Sequence, residues 1–176
     1  MCHKMSTKQS GFTLVELSMV LIIIALLVGG VLKAQAMIEN AQIRSDIKKL
    51  TEFQMISLLY VDKLSSLPGE DPEHPGRLKT VLSSQLSPSA GYFYDIYQAG
   101  LSQNLNPLPG IGKEFKATWG GSSGANYGLI AGVNQLCITE IDVDLASAIE
   151  LQLDEGSKSS GDIEYTQNGS QLCMRL

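Results

Sequence analysis

Histidine, cysteine and charge are all scarce in this sequence. Two histidines and three cysteines in 176 residues leave few ligands for a Cys/His metal cluster. No two cysteines stand at CxxC spacing, which argues against zinc and thioredoxin-like chemistry. No Ser/His/Asp or Cys/His arrangement points to nucleophilic catalysis, so an enzyme is not expected. The glycine-rich stretch 120–124 is not followed by Lys-Ser/Thr and so is no phosphate loop. Charged residues are 18% of the chain, against roughly 25% in ordinary soluble domains. The deficit is local, because no charge falls between Leu17 and Leu32. The net charge of −5 argues against a protein that coats nucleic acid. Proline and glycine are both missing from Val31 to Leu67, which removes the usual helix breakers from that span.

What is present begins with a long apolar run. Phe12–Leu32 is 21 residues, rich in Leu, Ile and Val. At about 1.5 Å per residue it spans a bilayer core of about 30 Å as a helix. It is too long for the apolar core of a secretory signal, which runs about 7–15 residues before a small-residue cleavage site. Lys4 and Lys8 precede it, in a short polar segment without acids. Glu16 is the exception inside the run. A carboxylate there costs on the order of 2–3 kcal/mol unless it is paired or interfacial.

Gly11-Phe12-Thr13-Leu14-Val15-Glu16-Leu17 resembles the class III signal of type IV pilins and pseudopilins. The resemblance implies a leader, residues 1–11, cut between Gly11 and Phe12 by a prepilin peptidase that also methylates the new amine of Phe12. It implies a filament-core charge pair in which Glu16 of one subunit neutralises the Phe12 amine of its neighbour. Buried ions persist when paired, and such a pair sets register more than bulk stability. Residues 12–32 are then the transmembrane and filament-core helix, and residues 33–67 an amphipathic continuation. The chain has Lys33 where many type IV pilins carry a proline.

Past Lys33, the residues Ile43, Ile47, Leu50, Leu58, Val61 and Leu64 recur at steps of three and four, with Gln54 and Ser57 interrupting. This predicts one helix from Phe12 to about Leu64. Its outer half would lay that stripe on a head, with Arg44, Asp46, Lys48, Lys49 and Glu52 on the other faces. Pro68 and Gly69 end the helix. The expected fold is α+β: a long amino-terminal helix packed on a small antiparallel-sheet head, residues 68–176.

Within the head, Arg77–Leu86 reads as a short helix, and Tyr92–Leu101 as a helix capped by Gly100 or, by its alternation, a strand. Core packing explains the aromatic cluster at Tyr92, Phe93 and Tyr97 better than a stacking platform for single-stranded nucleic acid. Phe115–Trp119 and Tyr127–Cys137 read as strands. Thr139-x-x-Asp142 looks like a capping box opening a helix from Ile141 to Leu153, with Ile141, Leu145, Ala148, Ile149 and Leu153 inward. Asp154-Glu155-Gly156 ends it. Asp162–Thr166 and Gln171–Arg175 read as strands joined by an Asn168-Gly169 turn. Residues 60–70 and 146–163 are similar to regions of prepilin-like proteins.

Loss of the leader removes Cys2 and leaves Cys137 and Cys173 in a compartment that the resemblance makes oxidising, so they are expected to pair. Asp142, Asp144, Asp154 and Asp162 are weak calcium candidates. A solvated acidic surface accounts for them as well, and no other cofactor is expected. The resemblance implies a bacterial inner-membrane protein with a single span and its head in the periplasm. Partners would be the peptidase-methyltransferase, other pilins or pseudopilins, and an inner-membrane assembly platform. The role would be a structural subunit, pseudopilin or minor pilin, of a type II secretion pseudopilus or a type IV pilus. Rivals are a single-pass anchored binding protein that never polymerises and a DNA-uptake minor pilin. The second is weakened because the charge falls from −5 to −7 once Lys4 and Lys8 are lost.

Overall fold

The computed structural model describes residues 11–85, 91–121, 129–154, 156–168 and 170–176. The chain divides at Asn40 into two units, and helix α1, Leu14–Leu64, contributes to both. From residue 11 to residue 40 every side chain is exposed. An apolar helix that buries nothing of its own needs another medium or partner to cover it.

The second unit has its own core. Its elements are β1 (Val81–Leu82), α2 (Tyr92–Gln98), β2 (Phe115–Trp119), β3 (Asn134–Thr139), α3 (Val143–Leu153), β4 (Ile163–Tyr165) and β5 (Gln171–Arg175). The five strands form one sheet in the order β1-β2-β3-β5-β4, and every pairing is antiparallel. This is the expected α+β arrangement of a long helix and a small antiparallel sheet.

Register fixes which side chains share a face. Phe115 lies opposite Ile138, and Ala117 opposite Leu136. Ile138 lies opposite Leu172, and Leu136 opposite Met174. With Ile163 these alternate residues form one face, and all of them join the buried core with Leu50, Phe53, Tyr92 and Ile96. Phe53 is its aromatic centre, edge-on to Tyr92, Phe93 and Phe115 at 6.2, 5.9 and 5.5 Å. Helix α2 stops in a Schellman turn. Gly100, at φ 69°, donates its N–H to Tyr97, and Leu101 donates to Ile96.

The head side of α1 departs from the expected stripe. Ile43, Leu50, Phe53, Ile56, Ser57 and Asp46 are the buried positions. Leu58, Val61 and Leu64 are exposed. The helical step continues through Phe53 and Ser57, so two polar residues, Asp46 and Ser57, lie on the packed face. Both have partners there, which is what makes their burial tolerable. The helix begins at Leu14, two residues later than expected.

Four further expectations are corrected or refined. The segment after Arg77 is extended: Leu78 bridges Glu70 and β1 follows, because the chain here adds an edge to β2. The strand expected from Tyr127 begins at Asn134; residues 127 and 128 lie outside the described residues. Thr139 does not cap α3, because it is the last residue of β3. Asp142 is the cap, its carboxylate accepting the Asp144 N–H. Ala146 and Glu150 join the inward face of α3. The β4–β5 pairing is present, although Gly169 of its turn, Glu155 of the acidic turn and residues 122–124 lie outside the described residues.

Candidate processing and anchoring site

A helix that starts in an apolar run leaves its first four backbone N–H groups without partners. Thr13 and Glu16 resolve part of that deficit together. The Thr13 N–H and hydroxyl both donate to Glu16 Oε2, at 2.9 and 2.8 Å. The Glu16 N–H is returned to Thr13 Oγ1 at 3.3 Å. This is a reciprocal capping box, and it decides where α1 begins. Gly11, Phe12 and Thr13 stay outside the helix and exposed. The Gly11–Phe12 peptide is therefore free of helical hydrogen bonds.

Downstream of the box the side chains are apolar and unburied. An 18-residue window of α1 has a mean hydropathy of 2.7 and none of it is buried. The helix is thus long and apolar enough to cross a membrane.

Gly11 and Phe12 stand exposed just before the box that holds Glu16, and the expected pair of Glu16 with a neighbour's Phe12 lies between subunits. Thr13, which the motif reading left without a task, closes the box with Glu16. The signal for it was present: a Thr followed three residues later by Glu, immediately before an apolar run.

In the head, Cys137 and Cys173 are bonded. They are direct cross-strand partners on β3 and β5, on the sheet face opposite the aromatic core, and both are fully buried. The calcium candidates do not converge. Asp142 and Asp144 stand at the start of α3. Asp154 stands just past its end and accepts the Asp162 and Ile163 N–H groups, at 2.6 and 2.9 Å. Asp162 also faces Arg175 Nε at 3.4 Å. Among the described residues no three His, Cys, Asp or Glu side chains are grouped to hold a metal. His74 is exposed and lies 3.0 Å from Asp71. That hydrogen bond holds the Asp71 carboxyl below its ordinary range, assisted by the Glu73 N–H.

A cleft of about 460 Å³ lies between α1 and the loop after α2. Its ionisable side chains are Lys49 and Glu52. Lys49 is already engaged by Asp46, at 2.9 Å, and by the Leu108 carbonyl, at 3.0 Å.

Comparison with known families supports the amino-terminal reading. The family described as the prokaryotic N-terminal methylation motif matches residues 6–32. No curated protein and no solved structure matches the chain.

Proposed function

We propose that this chain, which carries the prepilin-type signal of type IV pilins and pseudopilins, is a subunit cleaved after Gly11, methylated on Phe12 and polymerised through α1. The observation that carries this reading is the conjunction at residues 11–16. A scissile Gly–Phe peptide lies outside the helix, an acid is fixed at the helix start, and an unburied apolar helix follows. In the inner membrane, α1 anchors the subunit and the head lies in the periplasm. In the filament, the apolar helices pack together and Glu16 meets the Phe12 amine of a neighbour. The role is mechanical, as a pseudopilin or minor pilin of a secretion pseudopilus or a pilus. Glu16 sets it apart from the tip subunits of pseudopili, which typically lack this acid.

Intact mass and amino-terminal sequencing of the protein from native membranes test this. A chain beginning at N-methylated Phe12 is the expected result. A chain still beginning at Met1, in cells with an active prepilin peptidase, would favour a plain membrane-anchored binding protein instead.

A further inference from the structure

We infer that Lys116 is a positioning residue for closure of the Cys137–Cys173 bond: standing opposite Cys137, its ammonium makes that thiol the one that ionises and attacks first. This goes beyond the filament reading and does not depend on cleavage after Gly11.

Four residues form one row across the sheet, on the face turned away from the aromatic core. Lys116 on β2 lies opposite Cys137 on β3, Cys137 opposite Cys173 on β5, and Cys173 opposite Glu164 on β4. Directly opposed residues hold their Cβ atoms about 4.5–5.5 Å apart. A cation therefore flanks one sulfur and an anion the other. A thiol beside a lysine loses its proton more readily, and one beside a carboxylate less readily. Two other charged groups near the row are engaged elsewhere: Arg175 faces Asp162, and Glu114 accepts from the Ser84 hydroxyl.

Both sulfurs are fully buried in the closed head, so an oxidant reaches them only where the sheet opens. Opening at β5 also removes the partner of Lys116. Its Nζ meets the Gln171 amide oxygen, and Gln171 stands on β5 two residues before Cys173. With β5 released, Lys116 keeps Cys137 beside it and has no Gln171 to turn to. There an ammonium and a thiolate pair across β2 and β3. Once the bond forms, the sulfur carries no charge, and the lysine is left 6% exposed against a neutral amide. Burial then pushes its ammonium below the ordinary lysine value. A lysine whose burial weakens the finished sheet has its use in the reaction that closes it.

The chemistry is thiol–disulfide exchange with an oxidant that itself carries a disulfide. The Cys137 thiolate attacks one oxidant sulfur, a mixed disulfide forms, and the other oxidant sulfur leaves as a thiolate. The Cys173 thiolate then attacks the Cys137 sulfur, and the second oxidant sulfur leaves in turn. The two cysteines give up two protons and two electrons, and the oxidant disulfide becomes two thiols.

The test uses the full-length chain in detergent micelles with this bond reduced. A short pulse of iodoacetamide is followed by mass spectrometry of the two cysteine peptides, in native buffer and in urea, across the thiol range. The quantity read is the label on Cys137 relative to Cys173, native over urea. Unequal exposure gives a ratio that is the same at every pH. Unequal ionisation gives one that falls as pH rises through the ordinary thiol value of about 8.5. We expect the ratio to be about tenfold higher well below that value than above it, which corresponds to one unit of difference in ionisation. Lys116→Arg should keep this profile and Lys116→Met should flatten it. A flat profile in the native chain overturns the preferred thiol, and an unchanged profile in Lys116→Met overturns the role of Lys116. A second readout holds even where the reduced head unfolds. Reduced chain is diluted from urea into oxidised glutathione, and acid traps the adducts. Glutathione is expected first on Cys137, several-fold more slowly in Lys116→Met at neutral pH and equally fast above the thiol range. Equal rates for the two proteins at neutral pH overturn the inference.

Discussion

The Asp46 carboxylate holds the backbone N–H of Gly110 with both of its oxygens, at 2.8 and 2.7 Å. The Ile111 N–H joins one of these oxygens at 2.8 Å, and Lys49 joins the other at 2.9 Å. Asp46 is fully buried, so this cluster ties the loop after α2 to helix α1 within the head. Hydrogen bonds to a charged group contribute about 1.5–3 kcal/mol, and removing one partner strands the others. Asp46→Ala is expected to lower head stability by about 3 kcal/mol, and Asp46→Asn by less. Urea unfolding followed through Trp119, the one tryptophan, measures both. Unchanged midpoints would show that the loop is held by packing instead.

Lys116 gives an opposite expectation. It is nearly fully buried, on the same sheet face as the disulfide and opposite Cys137, with the Gln171 amide as its partner. Burial pushes its ammonium below the ordinary lysine value of 10.5. Between the lowered folded value and the unfolded one, the unfolded chain binds more protons, so stability rises with pH through that window. Below the window the cost of burying the charge is present in full. Lys116→Met is expected to raise stability at neutral pH by about 1–2 kcal/mol and to flatten the alkaline rise. The comparison belongs below pH 10. Tyr60 and Tyr92 have raised values through burial, and their contribution is lost as pH climbs above that point. A less stable Lys116→Met protein would mean that the Gln171 contact outweighs desolvation.

The Cys137–Cys173 bond closes a separation of 36 residues. Chain entropy makes such a closure worth about 3–4 kcal/mol. A Cys137→Ala/Cys173→Ala double variant is expected to be less stable by that much in urea unfolding under non-reducing conditions. Reduction should leave the variant unaffected. Equal stabilities would put the work on the strand pairing alone.

Ser57 and Tyr92 carry a smaller, local prediction. Their hydroxyls lie 2.8 Å apart, and each lies 2.9 Å from the Phe53 carbonyl oxygen, so two protons are shared among three contacts. Tyr92→Phe is expected to cost about 1–2 kcal/mol, and Ser57→Ala about 1 kcal/mol. The double variant should cost less than the sum, because the residues share one carbonyl. Thermal unfolding of the three proteins reads this coupling, and strict additivity would refute it.

The parts legible in the sequence were those with a strong local signal. The apolar run and the Gly11–Leu17 motif gave α1. Alternation gave β2, the Asn168-Gly169 turn signal gave β4 and β5, and Gly100 marked the end of α2. The parts that were missed depend on distant partners. Asp46 reads as a surface acid until Gly110 and Ile111, more than sixty residues away, are brought to it. Ser57 reads as a break in the stripe until Tyr92 faces it. Lys116 alternates onto a sheet face that sequence alone gives no reason to think covered. The capping boxes teach the same lesson at short range. Thr139-x-x-Asp142 has a fitting pattern, but Thr139 is claimed by β3 and donates to the Glu114 carbonyl. Thr13-x-x-Glu16 has the same pattern with nothing competing for it, and there the box forms.

The strand order carries a consequence for how the head is made. β5 is the last strand in chain order, yet it lies between β3 and β4. Until it arrives, β4 has no neighbour in the sheet, β3 has one open edge and Cys173 has not met Cys137. The last strand is therefore the keystone that joins β4 to the rest of the sheet. A chain that stopped before Gln171 would leave one edge of β3 and both edges of β4 unpaired.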